Sequence, residues 1–340
     1  MKRILIFGLC LALILSGCSL SQPQKQKYTA TFLTLFDTVT TIVGFAESEE
    51  IFTAQAQQIH DALLEYHQLF DIYNSYEGLN NLKTVNDAAG LAPVTVDGRI
   101  IALLKDCKTY YALTGGRMNV AMGSVLALWH EARSDGMDDP VNAYLPDPQA
   151  LSEAARHRSM DAIVIDETAS TVFLSDPDMR LDVGAIAKGW ALERVCETAP
   201  EGLLISLGGN IRATGPKDSQ GTPWVIGVQN PDDSSQNLHT LRVTSGSVVT
   251  SGDYQRRYWV GETAYHHIID PDTLYPGTLW RSVTVVCMDS GLADALSTAL
   301  FLLPFEEGLA LLQNCNAEAM WVDSQGICHY SPGFTAIIRT

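Results

Sequence analysis

Cations are scarce in this chain. Lysine and arginine number 22 against 39 aspartates and glutamates, for a formal net charge of −17. That balance argues against a nucleic-acid binder, because neutralising phosphates needs a basic face. It also disfavours docking on anionic lipid by charge. Paired cysteine motifs are missing too. The seven cysteines are scattered without a Cys-x-x-Cys pair, which speaks against a zinc site and against a dense disulfide framework. No repeat of solenoid period is visible, and strands and helices do not follow a strict βαβ rhythm. What remains is a chain of 340 residues, 46% hydrophobic and 18% charged. It can bury a core as one large domain or two modest ones.

The start of the chain predicts its destination. Lys2 and Arg3 precede an apolar run from Ile4 to Leu15, too short to span a bilayer. The run ends in Leu15-Ser16-Gly17-Cys18, which resembles a lipobox. The pattern predicts a signal peptide over residues 1–17, lipidation of the Cys18 thiol, and a polar tether over 18–29 leading into one domain over 30–340. The mature protein is then expected on the outer face of a membrane. The alternative is an uncleaved anchor or an ordinary signal peptide.

Periodicity sketches the rest. Thr31 to Phe45 reads as one or two strands, Ile51 to Leu69 as an amphipathic helix, and Phe70 to Gly90 as a long polar loop. Asp97 to Thr114 reads as a helix closed by Gly115-Gly116. Ser134 to Pro148 looks like an insertion ahead of a helix from Asp147 to His157. Ala162–Asp166 and Thr171–Leu174 suggest a hairpin, and further strands are expected over 202–207, 224–229, 241–243, 247–250, 257–260, 282–288, 319–322 and 335–338. Helices are expected over 292–303 and 306–315. The mixture predicts an α+β fold with antiparallel sheet.

Chemistry concentrates in a few stretches. In Leu181-Asp182-Val183-Gly184-Ala185-Ile186-Ala187-Lys188-Gly189, a short run from Met179 to Asp182, read as a strand, leads through a tight turn into a helix read from Trp190 to Thr198. Free backbone N–H groups and a lysine at a helix mouth suit an anion. The spacing matches neither a Walker loop nor a dinucleotide fingerprint, and an ordinary strand-to-helix turn is the alternative. Asp294 and Thr298 lie four residues apart on an apolar helix, so their oxygens share a face. A carboxylate with a hydroxyl is hard oxygen ligation, suited to Mg²⁺ beside a phosphate, although capping and solvated-face readings compete. In His266-His267-Ile268-Ile269-Asp270-Pro271 the two histidines should point to opposite faces, which disfavours a shared metal. Ser206-Leu207-Gly208-Gly209-Asn210 and Val249-Thr250-Ser251-Gly252-Asp253-Tyr254 are small-residue loops that could pass close to a ligand.

Taken in order and spacing, these stretches resemble the ApbE family, the FAD:protein FMN transferases, which are often bacterial lipoproteins. The likeness rests on residues 181–189, Leu-Gly-Gly-Asn at 207–210, Thr-Ser-Gly-Asp-Tyr at 250–254, His-Ile-Ile-Asp-Pro at 267–271 and Ala-Asp-Ala-Leu-Ser-Thr-Ala at 293–299, with Phe36-Asp37-Thr38 and Gly123 to Trp129 as earlier motifs. Three stretches depart from the family pattern. Met118-Asn119-Val120-Ala121 stands for Phe-Asp-x-Thr, Thr273-Leu274-Tyr275-Pro276 for Thr-Gly-x-Pro, and Phe36-Asp37-Thr38 for Met-Gly-Thr.

The resemblance implies an ApbE-like, T-fold-like α+β fold, with mixed, largely antiparallel sheets and flanking helices. It implies transfer of FMN from FAD to a threonine hydroxyl of a partner redox protein, with Mg²⁺ and release of AMP. It implies that Asp294, Thr298 and the Ala185 carbonyl hold the metal, and that Phe36, Tyr73, Met118, Asn119, Val120, Asp182, Lys188, Gly209 and His267 contact FAD. His267 and Asp294 are both candidates for the base. The implied partners are FAD, an exported or membrane acceptor protein, and the membrane through the lipid on Cys18, on the extracytoplasmic face of a bacterial cell membrane. Hydrolysis of FAD to FMN and AMP is the alternative reaction, and a non-catalytic flavin-binding lipoprotein is the alternative class.

Overall fold

The computed structural model describes residues 25–339. The expected signal peptide, Cys18 and the tether up to residue 24 lie outside the described residues. Strand β1 (Gln26–Phe32) already occupies part of the stretch read as tether. It pairs along its whole length with β2 (Thr40–Ala46), so the folded part begins before residue 30.

Helix α1 (Glu49–Phe70) follows, capped by the Ser48 hydroxyl on the Ile51 N–H. The polar loop after it is not wholly irregular. Asn81 forms a reciprocal capping box with Thr84 and starts α2 (Leu82–Asp87). A short β3 (Val94–Thr95), α3 (Gly98–Leu113) and α4 (Gly123–Asp138) come next. Helix α4 runs four residues past the point where the insertion was expected to begin at Ser134. Then come α5 (Pro148–Ala154), the hairpin β4 (Ile163–Asp166) and β5 (Thr171–Leu174), and α6 (Ala187–Cys196). The remaining strands and helices are β6 (Leu203–Leu207), β7 (Asn210–Ala213), β8 (Trp224–Gln229), β9 (Asn237–Val243), β10 (Gly246–Gly252), β11 (Tyr258–Val260), β12 (Thr263–Tyr265), β13 (Ser282–Cys287), α7 (Ser290–Phe301), α8 (Phe305–Leu312), β14 (Glu318–Val322) and β15 (Cys328–Tyr330).

Eight strands form one sheet in the order β1-β2-β6-β7-β10-β13-β14-β15. Every neighbouring pair is antiparallel. The architecture is therefore α+β, as the mixed pattern predicted. Alternation sorts the two faces. Val249, Val283, Val285 and Trp321 join the core under α7 and α8, while Val248, Met320 and Val322 join the core under the β8–β9 hairpin. Helices α1, α3 and α6 cover the β2–β6 part of the sheet.

Two expected strands take other forms. The segment Met179–Asp182 is extended but joins no sheet. The Asn86 amide clips Leu181 on both sides, accepting its N–H at 2.7 Å and donating to its carbonyl at 3.0 Å. Asp182 N–H donates to the Val120 carbonyl at 2.8 Å, so no neighbouring strand is needed to satisfy this backbone. Near the C-terminus, Phe334–Ile337 forms a 3₁₀ turn in place of the strand read at 335–338. Ile338 and Arg339 nevertheless pair with β9, through a bridge to Leu241 and an Arg339 N–H bond to the Thr240 carbonyl.

Helices α6 and α7 pack in close contact, and Gly189 is the reason. A Cβ there would stand 2.3 Å from the Ser290 carbonyl oxygen and 2.5 Å from Asp294 Cβ. Glu193, further along α6, fixes the arrangement. It forms a two-pronged ion pair with Arg212 of β7 and accepts the Ser290 N–H at 2.7 Å. One nearly buried carboxylate therefore ties α6 to the sheet and to the first turn of α7.

Candidate active site

A cavity of about 320 Å³ opens where α6 and α7 meet the end of the sheet. Its wall is drawn from the turn before β2, the end of α1, α4, the turn into α6, the β6–β7 turn, β10 and the loop after it, the stretch after β12, and α7.

The floor is built around Asp294. This carboxylate is only 4% exposed, and burying a charge demands compensation. The Gly189 N–H donates to Oδ2 at 2.9 Å, and Lys188 Nζ stands 3.9 Å from the same oxygen. Burial pushes the Asp294 carboxyl up from its ordinary value, while Lys188 and the Gly189 N–H pull it back. Helix α6 begins at Ala187, three residues earlier than the sequence suggested, so Lys188 lies in its first turn. In a regular helix the Gly189 N–H would bond to the Ala185 carbonyl. Here Asp294 takes that N–H, and no backbone hydrogen bond among the described residues outside regular elements reaches the Ala185 carbonyl. Thr298 lies one turn beyond Asp294 and also lines the cavity. A carboxylate, a hydroxyl and an unclaimed carbonyl form a hard-oxygen donor set of the kind a small divalent cation takes.

The two adjacent histidines do separate. His266 turns away, with Nε2 on the Gly277 carbonyl at 2.8 Å and its ring edge-on to Phe301. His267 lines the cavity, with Nδ1 buried and without a hydrogen-bond partner. Burial, followed by Arg256, lowers its pKa to about 3, so the ring is neutral at neutral pH.

At the mouth, Tyr73 is 58% exposed and its hydroxyl meets His130 Nδ1 of α4 at 2.7 Å. Burial raises the Tyr73 hydroxyl to about 12 and lowers His130. Asp71 organises the loop carrying Tyr73. It accepts the N–H groups of Tyr73 and Asn74, the Asn74 amide and the Tyr76 hydroxyl. These bonds outweigh burial and hold the Asp71 carboxyl below its ordinary value.

Of the expected FAD contacts, Phe36, Tyr73, Met118, Asn119, Asp182, Lys188 and His267 line the cavity. Two lie elsewhere. Val120 is buried in the core, contributing its carbonyl to Asp182 rather than a side chain to the wall. Gly209 is exposed at φ +91°, and its neighbour Gly208 takes the wall position, backed by Thr38. The sequence reading missed His67, Asp71, His130 and Arg256, single polar residues carried by helices and loops without a local motif. His67 accepts the Phe36 N–H at 3.1 Å. It thereby supports a turn in which Phe36 and Asp37 both have positive φ. A cluster of His157, Asp176 and Asp178 has ligand-type atoms within 4.8 Å of one another, but it lies outside the cavity wall.

Fold and site first define a class: an α+β protein that encloses a polar cavity between two close-packed helices and the end of an antiparallel sheet. The crystal structure of the ApbE protein from Thermotoga maritima shares this architecture, with a TM-score of 0.81 and 29% identity, covering 93% of this chain and all of that one. The flavin transferase ApbE from Vibrio cholerae shares the fold at a TM-score of 0.75 and 21% identity. The ApbE family model matches residues 36–321, and the chain belongs to the ApbE family. The FAD:protein FMN transferase of Treponema pallidum is 36% identical over 280 residues, 76% of this chain and 75% of that one. One from Klebsiella pneumoniae is 33% identical over 272 residues, 75% of this chain and 80% of that one. By this membership the chain is a transferase.

Proposed function

We propose that this protein is an Mg²⁺-dependent FAD:protein FMN transferase, moving FMN from FAD to a threonine hydroxyl of a partner protein and releasing AMP. The observation that carries the reading is the floor of the cavity. There a buried carboxylate and a lysine stand 3.9 Å apart beside the unclaimed Ala185 carbonyl. Asp294, Thr298 and the Ala185 carbonyl would hold Mg²⁺. When bound, the ion would neutralise charge on the diphosphate.

Phosphoryl transfer depends on positioning and charge neutralisation. In the proposed reaction the threonine Oγ forms a bond to the FMN phosphorus. The bond from that phosphorus to the bridging oxygen breaks, and the electron pair leaves with AMP. Lys188 offers a cation to the diphosphate from the first turn of α6, where N–H groups also favour an anion. His267, neutral with a buried unpartnered ring nitrogen, suits a hydrogen bond to substrate. A pKa near 3 makes it a weak proton acceptor. Asp294, on the cavity floor beside Lys188, is the other candidate to take the threonine proton.

The Leu15-Ser16-Gly17-Cys18 pattern supports a lipid anchor on the extracytoplasmic face of a bacterial membrane, which puts exported or membrane redox proteins within reach. Among the described residues no helix is long and apolar enough to cross a membrane.

The test incubates the purified protein with FAD, Mg²⁺ and an acceptor bearing an exposed threonine. Mass spectrometry reads FMN on the acceptor and chromatography reads AMP. Labelled acceptor with AMP supports the transferase. AMP and free FMN without labelling favour hydrolysis, and bound FAD without AMP favours a flavin-binding protein.

A further inference from the structure

Among the described residues, six other than glycine take a positive φ, and of these only Phe36 and Asp37 are neighbours in the chain. Both lie in the turn between β1 and β2, at φ 51° and 53°, and both line the cavity. A left-handed conformation is costly for a residue with a Cβ, and two in succession persist only where surrounding groups hold them. The base of this turn is secure. Phe32 pairs with Thr40 across the two strands, and Thr38 packs behind Gly208. The tip is held from α1. His67 accepts the Phe36 N–H on Nδ1 at 3.1 Å, and the two rings meet edge to face with centroids 5.5 Å apart. A backbone N–H can only donate, so Nδ1 is the bare nitrogen and the neutral ring carries its proton on Nε2. Nε2 faces the Tyr76 oxygen at 3.5 Å, and the Tyr76 hydroxyl donates to Asp71 at 2.8 Å. Asp71 also accepts the Tyr73 N–H at 2.7 Å. One line of polar contacts thus runs from the Phe36 turn through His67, Tyr76 and Asp71 to the loop of Tyr73.

We propose that His67 is a positioning residue for FAD, whose bond to the Phe36 N–H holds the left-handed turn in the shape that receives the dinucleotide. The inference rests on FAD being the ligand of this cavity, as read above. The two ends of the line, Phe36 and Tyr73, are aromatic side chains that line the cavity. Aromatic walls suit a planar ring system such as a flavin or an adenine. Walls ordered before the ligand arrives spare the binding step the entropy of ordering them. Strain is what makes His67 necessary. Without an acceptor for its N–H, Phe36 relaxes toward a commoner φ and its ring leaves its place in the wall. The sheet itself is undisturbed, because the base of the turn is fixed by other contacts. His67 acts through Phe36, so its loss should weaken the hold on FAD and leave the chemical step close to its wild-type rate.

The experiment uses the full chain with Mg²⁺. FAD affinity is read by flavin-fluorescence titration without acceptor, and kcat and KM for FAD by AMP release with acceptor. His67→Ala is expected to weaken FAD binding about tenfold, the order of one well-placed hydrogen bond. KM for FAD should rise by a like factor while kcat changes little. His67→Asn offers Oδ1 to the Phe36 N–H from nearly the same place and should stay within about threefold of the wild type. His67→Gln reaches toward Tyr76 instead and should resemble the alanine variant. A role confined to stability would not order the three variants this way. Asp37→Gly removes part of the strain, since glycine adopts a positive φ freely. In that background His67→Ala should cost less, which makes the cycle in FAD affinity non-additive. An alanine variant that binds FAD as the wild type does would overturn the proposal. So would an asparagine variant as weak as the alanine one, or an additive cycle. If the alanine variant does not fold, the comparison of asparagine with glutamine decides. If the wild type binds FAD but labels no acceptor, the transferase reading fails while the titrations still decide the role of His67.

Discussion

Gly189 and Asp294 are in such close contact that a side chain on one would enter the space of the other. A Cβ at position 189 would stand 2.5 Å from Asp294 Cβ, while the Gly189 amide bonds the carboxylate at 2.9 Å. The same contact packs two helices and shapes the floor of the cavity. Gly189→Ala is therefore expected to destabilise the fold by roughly 1–3 kcal/mol, the range for overpacking a tight core, and to reduce FMN transfer by far more than the stability loss explains. Urea denaturation and turnover on the same sample check this. A variant with wild-type stability and activity would refute the packing argument.

Mg²⁺ should stabilise the folded protein. A ligand present at about a hundred times its dissociation constant contributes about 2.7 kcal/mol when only the native state binds it. Thermal melts with Mg²⁺ and with EDTA should differ for the wild type. Asp294→Asn keeps the shape of the side chain and should lose both the difference and the turnover. An equal Mg²⁺ response in the variant would remove Asp294 from the metal site.

The Asp71 network predicts an acid-sensitive loop. Its carboxyl is held below the ordinary value of 3.8 by bonds from Asn74, Tyr73 and Tyr76. For a carboxylate with a lowered native pKa, the folded state binds fewer protons than the unfolded state. Its stabilisation is complete above the ordinary value and fades as pH falls below it. Melts from about pH 6 down to about pH 3 should show the wild type losing its advantage over Asp71→Asn toward the acid end. Parallel curves would show that Asp71 contributes nothing as a charge.

Glu193 and Arg212 form a nearly buried pair, with side chains 12% and 13% exposed. Removing one partner strands the other. Glu193→Ala should lose roughly 3–5 kcal/mol, together with its bond to the Ser290 N–H. A cycle with Arg212→Ala should be strongly non-additive. Chemical denaturation of the four proteins measures it, and simple additivity would contradict the geometry.

Much of this was legible in the residues. The i, i+4 spacing of Asp294 and Thr298 places both at the cavity, and the His266–His267 pair divides as neighbouring positions on extended backbone should. The helix around Asp294 is apolar enough that a charge within it had to have a partner. Other features were hidden for identifiable reasons. The segment Met179–Asp182 reads as a strand because apolar Met179 and Leu181 alternate with charged Arg180 and Asp182, yet its hydrogen bonds come from Asn86 and the Val120–Gly123 stretch, which no local pattern ties to it. The Phe334–Ile337 turn looks like a strand because Ile337 and Ile338 resemble β residues. His67 and Asp71 come from the end of α1, His130 from α4 and Arg256 from the loop after β10, and only tertiary contact brings these three stretches to one wall. The shift from Gly209 to Gly208 follows from the turn, in which Thr38 fills the space behind Gly208.

The floor of the cavity joins two helices that lie far apart along the chain. Between α6 and α7 the polypeptide must lay down the strands β6 to β13, and β6, β7, β10 and β13 must find their places in the eight-stranded sheet. Such distant pairings form slowly and late. Until they form, Lys188 and Asp294 cannot face each other. A nascent or partly unfolded molecule therefore presents no half-competent version of the site that could trap a dinucleotide unproductively. Quenching of flavin fluorescence during refolding should accordingly follow the last phase of assembly, making the ligand a reporter of completed topology.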